Sequence, residues 1–169
     1  KDVDLVAWGQ DAYYHTANAY GVILDQNQDS LKFYYHQVAC NEIWQNDKPH
    51  VVYGYAIVDS PCELVIEPGT SVHFFKNSGL IIGNPFSNIP GASLKALGTA
   101  SNPIYFEGTR LELSYDLIPG QWDRIWFTIY SDDNTLAYTV IKNGNIGVQA
   151  DSNINSNPSV LIQNSIIEN

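Results

Sequence analysis

The chain is short of positive charge. Eight lysines and arginines stand against 18 aspartates and glutamates, a formal net charge of −10 over 169 residues. Nucleic acid and anionic lipid headgroups both reward basic patches, so neither is expected as a partner. The acidity reads instead as what keeps a surface protein soluble. Long apolar runs are missing too: none approaches the ~20 residues that a membrane-spanning helix needs. There is no methionine and no secretory signal, so an exporting segment is expected to have preceded Lys1. The histidines, His15, His36, His50 and His73, show no metal-ligand spacing such as HExxH. There is no CxxC either, so the histidines are read as ordinary surface or edge residues and no metal is expected. Nucleophile elbow, phosphate-cradling glycine loop and dinucleotide fingerprint are all missing, and with them any expected cofactor.

What is present is a succession of short β-branched and aromatic runs between turn residues. Residues 63–108 show it best: Leu64-Val65-Ile66 stops at Pro68-Gly69, Val72 to Phe75 stops at Asn77-Ser78-Gly79, and Leu80-Ile81-Ile82 stops at Gly83. Each run is too short for a helix and is bounded as strands are. Residues 51–58 form the longest strand candidate, with Gly54 as a bulge. Residues 84–91 (NPFSNIPG) and 109–123 read as inserted loops, and such excursions often carry a binding face.

Two internal matches suggest a repeat. Gly69-Thr70 recurs as Gly98-Thr99, and TLAYTVIKN from Thr135 matches LIQNSIIEN from Leu161. The second match pairs Val140 with Ile166, Ile141 with Ile167 and Asn143 with Asn169. Both offsets fall within the periods of roughly 20–50 residues that point to stacked coils. The expected fold is all-β: a right-handed single-stranded parallel β-helix, a pectin-lyase-like solenoid, as one domain over residues 1–169. Residues 1–45 are expected to form an irregular N-terminal cap and first coil, and residues 46–169 the stacked coils. The chain stops inside the repeat, so it is expected to be the N-terminal part of a longer protein whose bare last coil favours end-to-end self-association.

The order IEPGT, NSGLIIG, SLKALGT, NPIYFEG, followed by IPGQWDRIWF (118–127) and VIKNGNIGVQ (140–149), resembles the β-helical surface lipoproteins of Gram-negative bacteria. The resemblance covers the chain from about Leu5 to its end. It implies an extracytoplasmic place, secreted or anchored to the outer membrane, and brings no established activity. The lipid-bearing cysteine of that family is not visible in this sequence.

Cys40 and Cys62 lie about one coil apart, so an exported chain is expected to bond them; two free buried thiols are the other reading. Asp116, Asp123, Arg124, Asp132 and Asp133 form the densest acidic region with a basic partner, though their spacing matches no polysaccharide-lyase motif. Trp122, placed in a loop by this reading, is the aromatic best suited to stack on a sugar ring. The candidate ligand-binding residues are therefore Asp116, Trp122, Asp123 and Arg124, with no catalytic residue assigned. A non-enzymatic surface module that contacts a glycan or protein is preferred. A polysaccharide lyase or glycoside hydrolase is the other reading.

Overall fold

The structure, a computed structural model, describes residues 11–24, 26–152 and 160–168. The apolar segment 3–8, most of the turn 151–158 and the Asn143–Asn169 pair fall outside these residues. Three sheets make up the described chain. The first holds, in spatial order, β1 (Tyr13–His15), β5 (His50–Val52), β8 (Ser71–Phe74), β11 (Ile104–Gly108), β14 (Thr139–Lys142) and β17 (Ile166–Glu168). The second runs β16 (Val160–Gln163), β13 (Asn134–Ala137), β10 (Ser93–Leu97), β7 (Glu63–Ile66) and β4 (Ile43–Trp44). The third runs β15 (Gly144–Ala150), β12 (Trp122–Phe127), β9 (Gly79–Ile82), β6 (Tyr55–Val58), β3 (Ser30–Gln37) and β2 (Ala19–Leu24). Every strand pair is parallel except β2–β3, which is antiparallel. None of the described residues is α-helical; a single 3-10 turn spans Leu113–Tyr115.

Alternation along each strand decides which face is buried. In β7, Leu64 and Ile66 are fully buried while Glu63 and Val65 turn outward. Like side chains meet across the ladders: Leu64 opposite Leu94 in the second sheet, and Ala56, Leu80, Ile125 and Val148 in one row of the third. All three sheets feed one cluster containing Phe74, Phe106, Trp122, Phe127 and Leu136. Each such side chain contributes roughly 1.5–3 kcal/mol by leaving water.

These findings correct the expected fold class. The chain does not form a right-handed single-stranded β-helix with an irregular cap. It forms three separate sheets, none of them closed or wound as a solenoid. Hydrogen-bond ladders end where the chain turns through left-handed backbone, as at Gly54, Gly69, Asn77 and Gly83. Gly54 is thus a corner between β5 and β6, not a bulge within one strand. The supposed cap is itself sheet, since its described part supplies β1, β2, β3 and β4. The spacing between partners is also uneven. Along the row His50, Val72, Phe106, Ile141, Ile167 the two middle steps are longer than the first and the last. The match between Thr135 and Leu161 is therefore one true register among several, with Val140 opposite Ile166. The match between Gly69 and Gly98 is none: it would set Val72 against Ser101, whereas the ladder aligns Val72 with Phe106.

Cys40 and Cys62 are bonded, with their Cα atoms 4.9 Å apart across a separation of 22 residues. The bond ties the turn before β4 to the turn before β7. Closing a loop of this size removes denatured-chain entropy worth about 3 kcal/mol. The Cys40→Ser/Cys62→Ser double variant should therefore unfold at lower urea by that amount. Unfolded, unreduced wild type should show no reactive thiol; two thiols per chain would rule the bond out.

Candidate functional site

Residues 109–121 leave the first sheet after β11 and lead into β12 of the third sheet, lying against the face of the first sheet turned away from the core. On that face the register sets His73 of β8 opposite Glu107 of β11, and Lys142 of β14 opposite Glu168 of β17. Alternation puts them there, because Val72, Phe74, Phe106 and Ile141 point into the core. Glu107 Oε1 lies 3.5 Å from His73 Nδ1, and its Oε2 lies 3.1 Å from Lys142 Nζ. Lys142 also donates to Asp116, which brings the excursion down onto the sheet. That hydrogen bond, with the nearby Glu107, raises the pKa of Lys142. Burial lowers the pKa of His73, against the opposing pull of Glu107.

Backbone anchors complete the excursion. Asn143 is buried in the left-handed region (φ 63°), and its Nδ2 donates to the carbonyls of Asp116 at 2.8 Å and Ile118 at 3.2 Å. Gln121 Nε2 donates to the carbonyls of Tyr115 and Ile118 at 2.6 and 2.8 Å. The result is two adjoining clefts. One, of about 210 Å³, is lined by Glu107, Glu112, Asp116, Lys142 and Asn143 among others. The other, of about 320 Å³, lies between Phe75 and Tyr115 and is also lined by Lys76, Thr109, Arg110 and Gln121. Arg110 belongs to both. Its guanidinium stacks 4.0 Å from the Tyr115 ring centroid and donates through Nε and Nη2 to Glu112. Phe75 is itself stacked on Tyr53, at 3.9 Å between centroids, so its ring is held rather than free to swing.

The four residues singled out from the sequence do not converge. Asp116 belongs to the excursion. Trp122 is not in a loop: it opens β12, is 1% exposed, stacks on Phe74 and donates from Nε1 to the Lys142 carbonyl at 2.8 Å. It is a core residue and cannot stack on a ligand. Asp123 and Arg124 face outward on the third sheet, where they bind one another through two hydrogen bonds of 2.9 Å. Tyr55 donates to the same carboxylate at 2.8 Å, and Arg124 reaches Gln149. Burial acts to raise the pKa of Asp123, but the bonds from Arg124 and Tyr55 outweigh it and lower it. Burial and that same bond push Tyr55 up to about 12. Asp132 and Asp133 lie elsewhere again; Asp133 pairs with Lys95.

The histidines are where sequence reasoning missed most. His15, His36 and His50 form a chain at the N-terminal end of the core, stacked beside the buried Trp44. His36 Nε2 is 3.3 Å from His15 Nδ1, and His15 Nε2 is 3.0 Å from His50 Nδ1. The outer nitrogens, His36 Nδ1 and His50 Nε2, each face a carbonyl at 3.0 Å, those of Thr16 and Gln45. Carbonyls only accept, so both outer nitrogens carry protons. Four contacts need four protons and three neutral imidazoles supply three, so all four are hydrogen bonds only when the chain holds one proton in excess. No spacing rule could have found this group, because the antiparallel β2–β3 hairpin, rather than a repeat, brings His36 to His15. Among the described residues no group of histidine, cysteine or carboxylate side chains is arranged to hold a metal ion.

No protein-family model, curated protein or solved structure matches the chain.

Proposed function

We propose that the chain is a non-enzymatic binding module that works outside the cytoplasm, secreted from or displayed on a Gram-negative cell, and that residues 109–121 hold a glycan against the first sheet. One observation carries this reading: a single cleft is lined by two aromatic rings, Phe75 stacked on Tyr53 and Tyr115 under Arg110, with Thr109 also in its wall. Sugar rings present apolar faces and hydroxyl edges, which such a cleft complements. The export part of the reading rests on the acidic composition, on the bonded cysteines and on the resemblance to surface lipoproteins. Catalysis is less well supported. The carboxylates of the region are already engaged by cations: Asp116 by Lys142, Glu112 by Arg110 and Asp123 by Arg124.

A glycan array followed by calorimetry tests the binding reading. Phe75→Ala and Tyr115→Ala should each weaken the best ligand about tenfold, the loss expected for one stacking ring. Thermal unfolding should stay close to wild type, because both rings lie outside the core cluster. Undiminished binding by both variants would overturn this placement of the site.

A further inference from the structure

We propose that the sugar unit seated between Phe75 and Tyr115 is carboxylated, a uronate, and that Lys76 binds its carboxylate; the inference rests on the glycan reading above. The lining of this cleft includes two of the chain's eight lysines and arginines, Lys76 and Arg110, and none of its 18 aspartates and glutamates. Arg110 is compensated by Glu112 at the rim, so on a protein of net charge −10 it is Lys76 that gives this carboxylate-free lining its positive sign. Such a lining concentrates anions that the rest of the surface repels.

The two cations do different things. Glu112 holds the Nε and Nη2 edge of Arg110 and lines the neighbouring cleft, so Arg110 is fixed over the Tyr115 ring as part of the wall. Lys76 is exposed and directly follows Phe75 in the turn after β8, a turn set by Asn77 at φ 60°. Its side chain and the Phe75 ring both border the cleft. A ligand that lays a ring face on Phe75 and carries an anion at the ring's edge meets both groups at once. A hexuronate has that shape; a neutral hexose supplies only the face.

The test compares an oligomer of galacturonate with a galactose oligomer of the same length and linkage, titrated into the whole chain. Wild type should bind the uronate at least about tenfold more tightly, the value of one charge-assisted hydrogen bond, and added salt should narrow that preference. Lys76→Glu should lose about tenfold on the uronate, leave the neutral oligomer unchanged, and keep the wild-type circular dichroism and unfolding curve. Equal binding of the two oligomers, or full uronate binding by Lys76→Glu, overturns the inference and leaves the glycan reading standing. Preference for a sulfated oligomer over the uronate overturns the carboxylate assignment. Binding of no glycan on the array, charged or neutral, overturns both.

Discussion

Acidification from pH 6.5 to 4.5 should destabilise the protein steeply, and His15→Phe should flatten that dependence. His15 is 5% exposed, and burial, then the charges of His50 and His36, lower its pKa to about 3. Burial lowers His50 as well, against the carboxylates of Glu42 and Asp47. A histidine whose folded pKa lies below its unfolded value of about 6.5 stabilises the protein fully above that pH. The contribution is lost as the pH falls toward the folded value, at about 1.4 kcal/mol per pH unit for one proton. Between pH 6.5 and 4.5 that is roughly 2 kcal/mol from His15, before most carboxylates titrate. The groups facing the chain are the Tyr13 ring against His50, the Trp44 indole against both His15 and His50, and the Glu42 carboxylate. Glu42 is already satisfied by Trp44 Nε1 and the Ala39 amide. Phenylalanine keeps the ring stack and cannot titrate. Its variant should be less stable at pH 7, having lost the one hydrogen bond that the neutral chain allows His15, and its urea midpoint should fall less steeply than wild type from pH 6.5 to 4.5, the remaining slope coming from His50 and His73. A flat wild type, or an unchanged slope in His15→Phe, would sink the account.

Trp122→Ala should cost about 3–5 kcal/mol, the range for removing a large aromatic from a packed core. Its ring lies 4.5 Å from Phe74 at an interplanar angle of 15°, and its Nε1 satisfies the Lys142 carbonyl at the end of β14 in the first sheet. Gly144 accommodates it: a methyl group built there would meet Trp122 Cε2 at 3.3 Å. Trp122→Phe should cost less, because an aromatic ring remains and the chief loss is the one hydrogen bond to the Lys142 carbonyl. Where Trp122→Ala does not fold, Trp122→Phe serves as the probe. Folded Trp122→Phe should bind glycan like wild type, whereas Phe75→Ala should not. Reduced affinity in Trp122→Phe with an unperturbed fold would return Trp122 to the binding surface.

The division between what was legible and what was not follows individual residues. Strands at residues 64–66, 72–74 and 80–82 could be read because β-branched runs bounded by Pro-Gly, Asn-Ser-Gly and Gly are local signals. The pairing of Val140 with Ile166 could be read because two layers there repeat their side chains. The layers before them could not, because loops such as 84–91 and 109–121 lengthen the chain between partners without disturbing the ladders. Asp116 lies in the long excursion read from the sequence and lines the smaller of the two clefts. Trp122 was misplaced because one residue decides between the end of that excursion and the start of a strand, and that residue's inward face is set by alternation from Ile125 and Phe127.

The sequence by itself determined that the chain is built of short strands and tight turns, carries a large negative charge and lacks the common catalytic motifs. Each is a property of composition or of neighbours a few residues apart. Only the tertiary structure decided that the strands divide into three sheets. It also decided that Lys142 reaches Asp116, that Asp123 is spent on Arg124 and Tyr55, and that three histidines share protons. These contacts join groups up to 68 residues apart, as between Tyr55 and Asp123. The long-range ones arise because stacked parallel strands, the β2–β3 hairpin and the 109–121 excursion bring distant residues together, which no local pattern encodes.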